Sequence, residues 1–235
     1  MADAIPANDS SMVDFEQSYQ DHTLMPGDDV LDRLPWEIDR PQPELVGFEN
    51  AGRVRGEVLD IGCGPGDSAI YLAGRGYRVT GLDFSPTVIE KARARAAAQG
   101  VEASFAVADA TELSAYTDRF DTVVSSALFH CLEPEQRRPH VAALLRATRP
   151  GARLIQFTFA TSEFSSAFAP YAIDEEELRA IFGAPWSINT LRLGNLAAVA
   201  SPPMLESFAE SGFRPELDAD GAMLLPIWVL EADRD

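Results

Sequence analysis

The sequence predicts an α/β protein built on a doubly wound, mostly parallel sheet. Three observations carry the prediction. Between Glu57 and Phe159 short apolar runs alternate with helix-period segments, the signature of βαβ units. The first such run opens into three glycines at alternate positions, Gly62, Gly64 and Gly66. The following segment carries Ser85-Pro86 at its start and Gly100 past its end, an N-cap with proline at the first helical position and a glycine stop. At 235 residues the chain holds one large domain, without repeats or a low-complexity linker. We read residues 1–35 as an acidic N-terminal extension or lid and 36–235 as the sheet domain.

Taken in order, Met12 to Tyr19 is a short amphipathic stretch, and Met25-Pro26-Gly27-Asp28-Asp29 is turn chemistry. Pro35, Pro41 and Pro43 forbid a continuous helix and predict an extended approach to a helix at about 44–51. VLDI, YRVTGLD and ASFAVAD read as the first three strands, with DSAIYLAGRG and SPTVIEKARARAAAQG as helices between them. Phe120 to Ala127 is a fourth strand, Pro134 to Thr148 a helix stopped by Pro150-Gly151, and Arg153 to Phe159 a fifth strand. Beyond it, Asp174 to Glu177 opens a helix with negative charge at the positive end of its dipole. Trp186 to Leu193 is strand-like, Pro203 to Ser211 helical, and Met223 to Leu230 a last strand in which Pro226 predicts a bulge or an edge. Residues 160–172 and 194–202 lack periodicity and read as loops over a site.

Composition narrows the function. With 19 Lys+Arg against 37 Asp+Glu the formal charge is −18, which repels polyphosphates and anionic bilayers alike. Nucleic acid and membrane partners are therefore not expected. No stretch approaches the roughly 20 apolar residues of a membrane span, and no secretory signal is visible, so a cytoplasmic location is expected. Cys63 and Cys131 sit in no Cys/His cluster and are read as reduced thiols; no metal site is expected.

Glycines in the turn after VLDI let a ligand lie against bare backbone, although such turns also simply connect elements. Asp83 strengthens the ligand reading: it stands 21 residues after Gly62, at the end of the second strand, where a carboxylate accepts hydrogen bonds from two ribose hydroxyls. The dinucleotide fingerprint needs a glycine at position 67, where this chain has Asp67. A carboxylate there repels a pyrophosphate at the helix N-terminus and disfavours a nicotinamide cofactor, whereas a ligand with ammonium and sulfonium groups meets no such conflict. The bland reading of Asp67 is an N-cap.

VLDIGCGPG, GLDFSPTVIEKA, VADATEL and FDTVVSSALFHCL, in that order, resemble the class I methyltransferases that use S-adenosylmethionine, over roughly residues 35–160. The resemblance implies that Asp60, Gly62, Cys63, Gly64 and Gly66 frame the methionine part, that Asp83 with Phe84 holds the ribose, and that Asp109 and Ala110 recognise adenine. Ser125 takes a place at the end of the fourth strand where the family often carries an acid. PWEIDRPQPEL, SALFHCL, DEEELRAIFG and LPIWVLEA further resemble thiopurine and halide/thiol methyltransferases, and especially the heterocyclic toxin methyltransferases that O-methylate hydroxyquinolones. Implied with them are a seven-stranded sheet of order 3-2-1-4-5-7-6, its last strand antiparallel, covered by an N-terminal segment.

The expected partner is thus a small aromatic or heterocyclic acceptor, most simply a hydroxyquinolone-like oxygen acceptor. A thiol or thiopurine acceptor, or a cofactor-binding module without turnover, are the alternatives. His130, just after the fourth strand, is the candidate catalytic residue, as a general base or to orient the acceptor oxygen; the alternative is a locally packed histidine. His22 and His140 read as surface residues. Trp36 suits both a sulfonium and a flat heterocycle, and otherwise anchors the N-terminal segment. Tyr19, Phe129, Phe168 and Tyr171 complete the candidate acceptor wall, against the general tendency of aromatic side chains to be core.

Overall fold

The computed structural model describes residues 14–24, 30–161, 172–210 and 212–235, without the side chain of Ser207. Among them eight strands form one sheet. β1 (Glu57–Ile61), β2 (Arg78–Asp83), β3 (Ser104–Val107), β4 (Phe120–Ser126) and β5 (Thr148–Phe159) are parallel in the order β3-β2-β1-β4-β5. β8 (Met223–Arg234) follows, antiparallel both to β5 and to β6 (Trp186–Ala198) at the edge. A two-residue β7 (Glu216–Leu217) also pairs with β8 and was not foreseen. Apart from it, the strand order and the antiparallel last strand are those expected.

Alternation along each strand sends side chains to both faces, and helices cover both. Val58, Val124, Ile155 and Val229 pack on one side with Leu45 of α2 (Pro43–Asn50), Ile70 of α3 (Asp67–Gly74) and Ile89 of α4 (Pro86–Ala98). Leu59, Val123, Leu154 and Leu230 pack on the other with Leu144 of α5 (Pro134–Ala147) and Leu178 of α6 (Glu175–Ile181). α1 (Phe15–Asp21) and α7 (Pro202–Glu210) lie outside this core.

The helix ends follow the local chemistry. Ser85 Oγ accepts from the Val88 N–H at 3.1 Å, with Pro86 at the first helical position. Asp174 caps α6 by accepting from the Glu177 N–H at 2.7 Å, and Glu133 and Gln136 form a reciprocal capping box at α5.

Several expectations need correction. Residues 194–198 belong to β6 and are not loop, because β8 supplies a full antiparallel partner out to Ala198. Pro226 marks neither an edge nor a bulge: β8 is interior, and the irregularity in its pairing lies at Ile188/Thr190. Pro226 turns its carbonyl toward the end of β5, where Ala160 donates to it, so its missing N–H falls where that strand has stopped. Asp67 is the first residue of α3, not its cap, since Gly66 takes the N-cap position with φ 89°. The Met25 to Asp29 turn, the start of the Met12 to Tyr19 stretch and most of the 160–172 loop lie outside the described residues.

Candidate active site

The carboxyl ends of β1, β2 and β4 meet at the place where strand order reverses, the usual ligand crevice of an open α/β sheet. A cavity of about 990 Å³ opens there, at the upper end of the size range of small-molecule sites.

Its floor is the glycine turn. Gly62, Gly64 and Gly66 all have left-handed φ, at 68°, 51° and 89°. The Gly62 and Cys63 N–H groups donate to the Leu82 carbonyl at 2.8 and 3.0 Å, which anchors the turn to the end of β2. A Cβ on Gly62 would come 2.9 Å from that of Leu128, so the turn and the loop after β4 touch with no space to spare.

Two carboxylates flank this floor. Asp83 accepts from the Gly64 N–H at 2.9 Å through Oδ2 and from the Ser85 N–H at 3.1 Å through Oδ1, while both oxygens keep a second lone pair. Burial raises its pKa above the usual carboxylate range. Asp60 is more extreme. It is 1% exposed, its Oδ2 has no hydrogen-bond partner, and burial lifts its pKa to about 7 against the pull of the Ala69 N–H. An orphaned carboxylate oxygen lining a cavity is a place for a cationic donor. Nearby Asp67 is not free to serve, because Arg95 holds it at 2.6 Å and also donates to the Pro65 carbonyl at 2.7 Å.

At the far side, the Asp109 carboxylate accepts from the Thr111 N–H at 2.7 Å and its hydroxyl at 2.6 Å, which folds the loop after β3 into a turn. The Ala110 carbonyl accepts from His140 Nδ1 at 2.9 Å. His140 is therefore not a surface residue. It is fully buried from α5 beneath this loop, and burial brings its pKa down to about 4.

Most predicted residues converge on the cavity: Trp36, Tyr19, Asp60, Gly62, Cys63 and Gly64 line it, as do Asp83, Phe84, Asp109, Ala110 and His130. Three do not. Phe129 is fully buried on the other side of its turn, against Phe182 and His140, because the 3-10 turn Phe129–Cys131 sends consecutive side chains in different directions. Ser125 points into the sheet's α5 face beside Gln156, where its Oγ is unpartnered. Gly66 faces Phe105 and Ala92 and serves the turn rather than the cavity wall. Phe168 and Tyr171 lie outside the described residues.

His130 is 3% exposed and stacks on Phe159 with ring centroids 4.1 Å apart. Its Nδ1 accepts from the Phe159 N–H at 3.1 Å, which assigns the ring proton to Nε2. Desolvation, helped by Arg137, lowers the pKa to about 3. A neutral ring whose basic nitrogen is already occupied fits the orienting alternative and not the general base.

Over the cavity lies the N-terminal segment. Trp36 Nε1 donates to the Tyr19 hydroxyl at 3.0 Å, and Phe15 packs on Trp36 with centroids 5.5 Å apart. Sequence reasoning missed Phe15, whose contact with Phe84 joins α1 to the end of β2. It also missed a group of apolar side chains lining the cavity, Phe159, Leu196, Met204, Phe208, Met223 and Leu225. The apolar character of α7 and of the ends of β6 and β8 was legible, but not that they line the same cavity as the glycine turn.

Among the described residues no cluster of His, Cys, Asp or Glu is suited to hold a metal ion, and no helix is long and apolar enough to cross a membrane. A family profile described as a methyltransferase domain matches residues 58–151. The chain is 35% identical over 226 residues to the 2-heptyl-1-hydroxyquinolin-4(1H)-one methyltransferase of Mycobacteroides abscessus, covering 94% of this chain and 96% of that protein. A solved structure concerned with the conversion of a disulfide bond into a thioacetal group during echinomycin biosynthesis superposes with a TM-score of 0.77 at 33% identity, covering 94% of this chain and 91% of that one. The magnesium protoporphyrin IX methyltransferase of Synechocystis, solved with S-adenosylmethionine bound, shares the fold at a TM-score of 0.57 and 23% identity, over 82% of this chain and 76% of that one. The glycine turn, the unpartnered Asp60 carboxylate oxygen and the buried Asp83 at the end of β2 agree with these likenesses: the chain belongs to the class I S-adenosylmethionine-dependent methyltransferases.

Proposed function

We propose that the enzyme methylates the oxygen of a small planar heterocycle carrying an aliphatic portion, of the hydroxyquinolone kind. The observation that supports this best is the lining of the cavity, which joins buried carboxylates and glycine backbone with aromatic side chains and with the apolar cluster of Met204, Phe208, Met223 and Leu225. The relative named for a 2-heptyl-1-hydroxyquinolone acceptor, matched over nearly its whole length, points the same way.

In this reading Asp60 receives the ammonium group of the cofactor, Gly62, Cys63 and Gly64 lie against its methionine part, Asp83 receives the ribose hydroxyls beside Phe84, and Asp109 with Ala110 borders adenine. When bound, S-adenosylmethionine supplies an electrophilic methyl on a positively charged sulfur. The chain's own residues supply orientation and dryness. Tyr19 and Trp36 close the cavity above, and holding an acceptor within about 3 to 3.5 Å of the reacting carbon contributes several kcal/mol. His130 donates Nε2–H to the acceptor and fixes which oxygen faces the methyl. An N-hydroxy heterocycle is acidic enough to arrive as its anion, so no protein base is required.

A sulfur acceptor is the second reading, favoured by the likeness to the echinomycin-pathway structure, whose reaction takes place at sulfur. The two separate on incubation with methyl-labelled cofactor and a panel of 1-hydroxyquinolones with and without alkyl chains, simple phenols and thiols. Transfer to oxygen, faster for the alkylated compounds, is expected. Transfer to thiols alone would replace the first reading by the second, and no transfer to any member despite bound cofactor would overturn both.

A further inference from the structure

We propose that α4 is a three-rung latch that holds the N-terminal cover down over the cofactor, and that Glu16, Lys91 and Arg95 are positioning residues governing cofactor exchange. Thr87, Lys91 and Arg95 recur every fourth residue and so lie along one face of the helix. Each engages a different part of the cover. At the first turn Glu16 of α1 accepts from the Ser85 hydroxyl, from Thr87 Oγ1 at 2.5 Å and from the Thr87 N–H at 3.4 Å. The two hydroxyls hold its carboxyl below the usual range. One turn on, Lys91 Nζ meets Glu37 Oε1 at 2.5 Å, immediately beside Trp36. A further turn on, Arg95 pairs with Asp39 at 3.0 Å while its other contacts hold Asp67 and the Pro65 carbonyl of the glycine turn.

Between these rungs hang the groups that roof the cavity. Phe15 adjoins Glu16, Trp36 adjoins Glu37, and the Tyr19 hydroxyl lies 3.2 Å from where a Cβ on Gly64 would stand. A ligand lying on Gly64 and Asp83 cannot leave on that side until the aromatic roof lifts, and the polar contacts to α4 hold that roof together with the Phe15–Phe84 contact and the Pro35 carbonyl, which accepts from the Val199 N–H at 2.7 Å. Two of the rungs are ion pairs with an exposed member, Lys91 at 38% and Asp39 at 59%, so salt weakens them.

The proposal rests on the cavity being the cofactor site, and its test separates the two. Binding of S-adenosylhomocysteine to the unaltered protein is measured first by calorimetry; its failure would strike the cofactor site itself. Release of bound S-adenosylhomocysteine is then followed by stopped flow through Trp36 fluorescence. Glu16→Gln and Lys91→Met are expected to speed release by about fivefold or more, with the single-turnover methyl-transfer rate unchanged, and Lys91→Arg to restore slow release. Raised salt should accelerate release from the unaltered protein. Unchanged release in both variants would overturn the latch. Should the variants not fold, the unaltered protein still decides: Lys91 is the only lysine in the chain, so acylation of its peptide reports the rung directly. Saturating S-adenosylhomocysteine is expected to slow that labelling; equal rates with and without it would overturn the proposal.

Discussion

Asp60 carries the most consequential charge in the site. With a pKa raised to about 7 by burial, it is ionised only in part at neutral pH, and a cationic ligand beside Oδ2 draws the proton off. Cofactor affinity should therefore rise with pH through about 7 and level above it, and calorimetry in buffers of different ionisation heat should detect proton release on binding at pH 7. Asp60→Asn should act in opposite directions on binding and on stability: weaker binding by roughly tenfold or more, because a neutral amide replaces a charge-assisted partner, and a ligand-free Tm at pH 8 higher by about 2–4 °C per kcal/mol of relieved desolvation. His130 gives a different kind of prediction. Its imidazole stays neutral at working pH, so kcat at saturating cofactor should show no titration of a histidine between pH 5 and 8. An inflection near 6.5 that disappears in His130→Ala would restore the base. The glycines and Asp83 were legible as single residues because their chemistry is local. The roles of His130 and His140 were not, since a histidine's character depends on whether packing leaves it solvent and which nitrogen finds a partner.

The elements that matter most are the turn after β1 and the loops that press on it. Gly62→Ala adds a methyl at left-handed φ and drives it toward the Leu128 Cβ, costing about 1–3 kcal/mol of stability. Trimming the neighbour with Leu128→Ala should recover part of the lost Tm by removing the collision, while the backbone strain remains. Beneath the β3 loop, His140→Ala removes the donor that holds the Ala110 carbonyl. The expected outcome is a several-fold loss of cofactor affinity with kcat at saturation little changed, read from KM and kcat together. At this scale the sequence located strands and helices well through alternation, caps and prolines. It misread 194–198 and Pro226, because whether a Gly-Asn or a proline interrupts a strand depends on what lies alongside it, and here β8 and the end of β5 supply compatible neighbours.

For the molecule as a whole, two sets of carboxyls oppose each other. Asp121 and Asp233 lie below the usual range; burial alone would raise them, but the Glu57 N–H and Arg149 at Asp121, and Arg153 and Asn189 at Asp233, prevail. They stabilise the fold above about pH 4, and that contribution is lost as pH falls through their lowered values. Asp60, Asp67 and Asp83 are raised by burial, so the folded state holds their protons more tightly than the unfolded chain and becomes less stable as pH rises through those values. A net charge of −18 adds self-repulsion as the carboxylates ionise. Below about pH 6.5 the buried, neutral His130 and His140 act the other way, because the unfolded chain takes up protons that the folded state does not. Ligand-free Tm should thus pass through a maximum between about pH 5 and 8 and fall steeply below about pH 4. The added stabilisation by S-adenosylhomocysteine should be larger at pH 8 than at pH 5, because the proposed ammonium contact needs Asp60 ionised. A thermal-shift series across pH at fixed ligand excess checks both; a ligand effect independent of pH would remove Asp60 from the ammonium site.

By itself the sequence determined the sheet, its order through a family resemblance, the glycine cradle and the acids beside it. These follow from short-range rules: side-chain alternation, the conformational freedom of glycine, and a carboxylate at the end of a strand. Tertiary structure alone decided that Phe129 and Ser125 turn away from the cavity, that α7 and the ends of β6 and β8 contribute apolar side chains to its lining, and that one face of α4 grips the N-terminal cover. Each of those joins residues far apart along the chain, and a contact between distant segments depends on how whole elements pack, which no local pattern encodes.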